Sequence, residues 1–60
     1  MPAIMIREQE GRFVVVLATK YKQEEVVFTN EHTAVKCANN NIQYYTGHKS
    51  YYTLEDLLVI

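Results

Sequence analysis

Cysteine is nearly absent from this sequence, because Cys37 is the only one among its 60 residues. A single cysteine cannot form a disulfide within the chain, which excludes a small secreted module built on disulfides. A lone thiol instead fits a reducing compartment, so we expect a cytoplasmic protein. Since disulfides are excluded, a chain this short needs unusually good packing, a metal or a partner subunit to be stable.

Long hydrophobic runs are also missing. The longest apolar run covers only residues 13–18, whereas a membrane-spanning helix needs roughly 20 residues. The start lacks a basic stretch before its apolar residues, and Arg7 follows too soon for a signal peptide. We therefore expect neither a membrane protein nor an exported one.

Glycine and net charge are low as well. Gly11 and Gly47 stand alone, so the sequence contains no glycine-rich loop of the kind that holds phosphates. The formal net charge of −1 argues against a nucleic-acid binder driven by bulk positive charge and against an acidic mimic of nucleic acid.

Residues that could carry chemistry are few and badly spaced. Three side chains could ligate a metal, His32, Cys37 and His48, but His32 and Cys37 lie about 140° apart around a helix. Cys37 falls on an apolar stripe, where burial raises the pKa of a thiol and argues against a nucleophile. We predict no catalytic residues, no metal site and no cofactor, and hence a non-enzymatic protein.

The apolar pattern that is present predicts an α+β domain spanning residues 1–60. Three segments have strand character, with a turn at Glu10-Gly11 after the first and a polar loop after the second: residues 3–8, 12–19 and 24–29. Thr29 and Asn30 are good N-caps, so a helix is predicted over residues 31–39, ended by the asparagine run at 39–41. The expected fold is a small antiparallel sheet of three to five strands with one helix packed on it.

A tyrosine-rich hairpin is predicted after the helix. Residues 42–46 and 50–53 form its strands around a loop at 47–49, which places Tyr45 opposite Tyr51 and Tyr44 opposite Tyr52. Residues 54–60 form either a short helix or a short strand, with the helix preferred, and their apolar side chains are expected to be buried. The expected core is this set: Ile4, Ile6, Phe13, Val15, Leu17, Val26, Phe28, Val35, Ala38, Ile42, Leu57 and Leu58.

Five tyrosines make up the most unusual feature of the composition. In one interpretation they are structural, with one hairpin pair in the core and the other in a half-buried ladder. In the other interpretation the outer pair is a contact surface, because tyrosine is enriched where binding energy concentrates. The candidate binding residues are the hairpin and loop side chains: Tyr44, Tyr45, Tyr51, Tyr52, His48, Lys49, Lys20 and Lys22.

Self-association is a further expectation. The second predicted strand is apolar on both faces, so either a helix covers one face and a second copy covers the other, or one face is exposed. A two-fold dimer is the commonest way for a small chain to bury such surface. We therefore expect a homodimer.

Two resemblances bear on function. The order of three strands and a helix, joined at residues 28–34 (FTNEHTA), resembles the DNA-binding arm domains of tyrosine recombinases over about half of the chain. Those domains are markedly basic and this chain is not, which puts DNA binding in doubt. The compact build is also similar to small accessory proteins of bacteriophages and mobile elements, which commonly bind a host protein. No residue's role follows from either resemblance.

The leading hypothesis is thus a small regulatory or accessory protein, of possible viral type, that binds another protein as a homodimer. The alternative is a weak, sequence-tolerant nucleic-acid binder that stacks bases on the hairpin tyrosines and contacts phosphates through Lys20, Lys22 and Lys49.

Overall fold

A computed structural model describes residues 2–59 and contains a three-stranded antiparallel sheet in the order β1-β2-β3, with a long helix on one face. The elements are β1 (Ala3–Gln9), β2 (Arg12–Ala18), β3 (Gln23–Phe28), α1 (Glu31–Thr46) and α2 (Leu54–Leu57). The predicted α+β class is confirmed. The fourth and fifth strands allowed by the sequence are not formed as elements within residues 2–59.

Both sheet connections follow from local chemistry. Glu10 and Gly11 have positive φ angles of 51° and 76°, which gives the two-residue turn whose twist suits a hairpin. This confirms the predicted turn. In the next loop the Thr19 hydroxyl accepts hydrogen bonds from the backbone N–H groups of Tyr21 (3.2 Å) and Lys22 (3.1 Å). That threonine holds Tyr21 at the tip of the loop.

The main core lies between the sheet and α1. Ile6 and Val15 are fully buried at its centre, and Ala34 and Ala38 are equally inaccessible on the helix. These small side chains let α1 approach the sheet closely. Ile42 of α1 and Leu57 of α2 complete the buried core. Partly buried side chains pack around it: Ile4, Phe13, Leu17, Phe28, Val35, Cys37 and Leu54. The prediction for Val26 was wrong, because 39% of it is exposed.

Helix α1 begins as predicted but ends later. The Asn30 side chain caps it by accepting from the Thr33 N–H (3.1 Å). The helix then continues through the asparagine run to Thr46, and Gly47 closes it with φ of 76° and an N–H bond to the Gln43 carbonyl. The predicted end near residue 39 and the predicted hairpin over residues 42–53 are therefore both wrong.

Asn39 explains why the chain stays helical there. Its side-chain amide donates to the carbonyls of Val35 (3.0 Å) and Tyr52 (2.9 Å). Its side-chain oxygen accepts from the Ser50 hydroxyl (2.7 Å) and the Tyr52 N–H (2.9 Å). These four bonds use all the donors and acceptors of the amide. Residues 50–52 are thereby held against α1 rather than paired as a strand.

Within residues 2–59, the opposite face of the sheet carries no helix. Val14 and Val16 of the central strand are nevertheless buried there. Arg7 of β1 reaches Glu25 of β3, with its Nη2 atom 3.2 Å from both carboxylate oxygens. Because β2 lies between β1 and β3, this ion pair passes over the central strand and helps to shield its valines from water.

The C-terminal segment combines the two predicted alternatives. Helix α2 opens with a capping box between Thr53 and Asp56, which satisfies backbone N–H groups at its start. Leu58 then forms a parallel bridge with Ile6, and the Val59 N–H donates to the Ile6 carbonyl (2.8 Å). The expectation that the whole tail is buried was wrong for Val59, which is 45% exposed; Ile60 lies outside the described residues.

Candidate binding surface

All five tyrosines are exposed to solvent. The exposed fractions are 85% for Tyr21, 81% for Tyr44 and Tyr51, 50% for Tyr52 and 49% for Tyr45. A tyrosine pair packed in the core, which was one of the two interpretations of the sequence, is therefore wrong. The five rings lie around the last turn of α1, and we call these five tyrosines together the tyrosine surface.

The first part of this surface lies between α1 and the segment that follows it. Tyr51 and Tyr52 line a hollow of about 450 Å³ together with His48 and Lys49. Ile42 and Thr46 of α1 and Ser50 complete its walls. The Asn39 bonds to Ser50 and Tyr52 fix this segment on the helix, so the hollow has a rigid wall.

The second part lies where α1 meets the loop between β2 and β3. Tyr45 and Tyr21 line a hollow of about 470 Å³, and Lys20, Thr19 and Pro2 complete it. The two rings come from positions 24 residues apart in sequence. They line the same hollow because α1 runs antiparallel to β3 and therefore ends beside the loop that precedes β3.

Tyr44 and Tyr45 are in contact with each other on the last turn of α1. Their ring centroids are 5.1 Å apart and their planes are nearly perpendicular, at 88°. This edge-to-face arrangement is a favourable geometry for aromatic rings. The sequence predicted these two rings on opposite faces of a strand, whereas the helix makes them neighbours on one exposed flank.

The lysines of the surface are mostly engaged within the chain. The Lys20 ammonium lies 5.0 Å from the centroid of the Tyr21 ring, a cation–π contact. Lys22 bonds to Glu24 at 2.7 Å, and this hydrogen bond, followed by the charge of Glu24, raises the pKa of Lys22. Lys49 lines the first hollow.

The structure places the eight predicted residues in or near two hollows beside the end of α1, although not by the predicted hairpin. Tyr51, Tyr52, His48 and Lys49 share the first hollow, and Tyr45 and Lys20 share the second. Lys22 lies beside the second through its loop, and Tyr44 touches Tyr45. Sequence reasoning missed Tyr21 and Pro2. Tyr21 could have been found, because it stands between two lysines already proposed for binding.

Groups capable of chemistry are dispersed. Within residues 2–59 no three histidine, cysteine or acidic side chains come together as a set that could hold a metal ion. Burial raises the pKa of the Cys37 thiol, an effect partly offset by the amide of Asn41, which lies 3.7 Å from the sulfur. Among the described helices, none has the length and apolar character needed to cross a membrane.

Comparison with known proteins returns no match for this chain among protein-family models, curated proteins or solved structures.

Proposed function

We propose that this chain is a small, non-enzymatic accessory or regulatory protein that binds another protein through the tyrosine surface. The observation that carries the proposal is the exposure of all five tyrosines around the end of one helix. An exposed aromatic ring costs free energy in water, and tyrosine is, with tryptophan and arginine, among the residues enriched where protein interfaces concentrate their binding energy. Two hollows beside the rings offer space for a partner's side chains.

A protein is favoured over a nucleic acid as the partner because of the charges near the rings. Lys22 is paired with Glu24, and Lys20 lies over its neighbour Tyr21. The contact with Tyr21 leaves the charge of Lys20 in place, so Lys20 and Lys49 are the two lysines of the surface that no ion pair within residues 2–59 neutralises. Nucleic-acid affinity comes largely from several lysines and arginines releasing counterions, which this surface supplies poorly.

The proposal includes a homodimer as the active form. The chain is short, and its core rests on few fully buried large side chains, Ile6 and Val15. Such a small core supplies little stability by itself. A second copy would increase the buried surface without a longer chain.

The binding proposal is tested by affinity capture followed by a direct binding measurement. Partners are captured from a cell lysate treated with nuclease, using three immobilised chains: the natural sequence, a Tyr44→Ser/Tyr51→Ser variant and a His32→Ser/Lys36→Ser control. Tyr44 and Tyr51 are the more exposed members of their pairs, so their replacement leaves the fold intact. His32 and Lys36 are exposed near the other end of α1. Each captured protein is then purified and its affinity for all three chains is measured.

We expect a partner that binds the natural sequence and the control alike and loses at least tenfold in affinity with the tyrosine variant, since interface tyrosines commonly contribute more than about 1.4 kcal/mol. Equal affinity for the tyrosine variant would contradict the proposal. A single-stranded oligonucleotide titrated at low and raised salt is the second arm. Salt-sensitive binding that a Lys20→Gln/Lys22→Gln/Lys49→Gln variant abolishes would replace a protein partner with a nucleic acid.

A further inference from the structure

In the part of the chain that the structure describes, strand β3 has a free edge. Backbone hydrogen bonds alternate along an antiparallel pair, and the bond from the Thr19 N–H to the Lys22 carbonyl (2.8 Å) sets the phase of that alternation. By this alternation, every second residue of β3 directs its backbone N–H and C=O groups away from β2, and these residues are Gln23, Glu25 and Val27. No group within residues 2–59 bonds to them, and every residue of β3 before Phe28 is exposed.

The other edge of the sheet is partly occupied. On β1 the same alternation turns the backbone of Ile6 outward, and its carbonyl accepts from Val59 (2.8 Å). Leu58 forms the accompanying parallel bridge with Ile6. The sheet therefore has one open edge and one edge covered at its middle. A molecule with a single open edge associates as a closed two-fold pair rather than as a growing filament.

The acidic residues of β3 do not protect its edge from pairing. Charged side chains on an edge strand usually discourage association. Here the Glu25 carboxylate is held by Arg7 over the face of the sheet, and Glu24 is held by Lys22. Each carboxylate has a cationic partner within the chain, so the repulsion that they exert across the edge is reduced.

We propose that two copies of this chain pair through β3, antiparallel, with Val26 on the two-fold axis. In this register Glu25 lies opposite Val27 of the second copy, so the outward-facing N–H and C=O groups of both strands meet. Val26, 39% exposed in the single chain, packs on its own symmetry mate. The result is a six-stranded sheet with both helices on the same face.

Neighbouring registers are less favourable. Centring the pair on Glu25 places two carboxylates directly opposite each other, which is destabilising. Centring it on Val27 leaves only residues 26–28 of β3 in the ladder and so halves the backbone bonds. Shifts by a single residue bring outward-facing groups opposite inward-facing ones, and no ladder forms.

This inference rests on the proposed homodimer and adds a consequence for the tyrosine surface. Because the paired strands are antiparallel, the two copies of the surface lie at opposite ends of the dimer, and the β3 edge is separate from both. Each dimer therefore presents two binding surfaces, and a partner with repeated sites gains avidity without any new contact.

The test measures the dimer dissociation constant by sedimentation for the natural sequence and for Val27→Lys and Val27→Glu. Val27 is 57% exposed on the outer face, so both variants keep the fold, which circular dichroism checks. In the proposed register the new side chain faces Glu25 of the second copy. We expect the lysine variant to associate more tightly than the glutamate variant by roughly tenfold, since two such cross-strand pairs form in each dimer.

A second measurement locates the interface. Amide hydrogen exchange of the natural sequence should slow at Glu25 and Val27 as concentration rises, whereas Val26, whose N–H already faces β2, should change little. A chain that is monomeric at every concentration overturns the inference, and so does a dimer insensitive to charge at Val27. A dimer that the Tyr44→Ser/Tyr51→Ser variant dissociates would place the interface on the tyrosine surface instead. Binding of an external partner by a monomer would preserve the proposed tyrosine surface while rejecting the β3 dimer.

Discussion

Asn39 and Tyr52 are joined by two hydrogen bonds of 2.9 Å, one in each direction between the side-chain amide and the backbone. This exchange reproduces the bonding that a neighbouring strand would give to Tyr52. A single side chain on a helix thus takes the place of a hairpin partner. It also holds Tyr51 and Tyr52 beside the end of α1, where they line a hollow with Ile42 and Thr46.

Replacing Asn39 should destabilise the protein. Asn39→Ala removes four hydrogen bonds and frees residues 50–52 from α1. Leaving partly buried groups without partners costs about 1–3 kcal/mol, so the urea midpoint should fall with little change in slope. Asn40→Ala is the matched control, because Asn40 is exposed and alanine favours helix by a few tenths of a kcal/mol. Equal midpoints for the two variants would show that Asn39 has no such role.

The asparagine run is the reason why the C-terminal end of α1 was predicted wrongly from the sequence. Asparagine favours helix ends because its side chain competes for backbone hydrogen bonds, so the run Asn39-Asn40-Asn41 predicts the C-terminal end of α1. In the structure Asn39 bonds outward to Ser50 and Tyr52, and Asn41 bonds back to the Cys37 carbonyl (2.9 Å). Nothing local in the sequence indicates the partners of Asn39. The spacing of Ala34, Ala38 and Ile42, each four residues apart, is a helical signal that the prediction did not use.

Gly47 should be required for the way α1 ends. Its φ of 76° lies in the left-handed region, which costs a side chain about 1 kcal/mol. Gly47→Ala should therefore lower the free energy of unfolding by about that amount, even though a methyl group there meets no neighbouring atom within 4 Å. Gln43→Ala, at an exposed position of the same turn, is the control and should change stability little. Urea unfolding of both variants measures the difference.

The capping box of α2 should make stability sensitive to acid. The Thr53 N–H and hydroxyl donate to the Asp56 carboxylate at 2.9 and 3.0 Å, and these bonds lower the pKa of Asp56 below its ordinary 3.8. The folded state then binds the proton less readily than the unfolded state. The stabilisation is therefore complete above the ordinary pKa and is lost as pH falls through the lower folded value.

A carboxyl NMR titration of Asp56 measures this effect. Thr53→Ala removes the hydroxyl bond, so we expect the pKa of Asp56 to rise toward its ordinary value. Thr53→Ser retains a hydroxyl and should keep the pKa low. The same pKa in all three chains would mean that the capping box does not form in solution.

Cys37 should alkylate slowly. Burial raises the pKa of its thiol, and the thiolate is the reactive form. The rate of reaction with iodoacetamide should therefore reach half of its plateau at a higher pH in the folded chain than in the same chain unfolded in urea. A midpoint at or below that of the unfolded chain would indicate an activated thiol and would reopen a catalytic hypothesis.

The sheet was the most predictable part of the molecule, and the tyrosine surface the least. Strands show in alternation within a few residues, and the Glu10-Gly11 turn carries its own signal. Tyr21 and Tyr45 line one hollow only because α1 extends to Thr46 and returns to the loop between β2 and β3. That arrangement depends on the length of the helix, which the asparagine run obscured. The sequence therefore identified most of the residues of the surface but not the geometry that joins them.

Nuclear Overhauser effects across residues 39–53 test most directly whether the tyrosines form one exposed surface at the end of α1. The structure predicts helical contacts between Hα and HN three residues apart as far as Thr46, and contacts from the Asn39 side-chain amide protons to Tyr52. Strand contacts between Tyr45 and Tyr51, with no contact from Asn39 to Tyr52, would contradict it. That result would support the predicted hairpin and would mean that the tyrosine surface does not form.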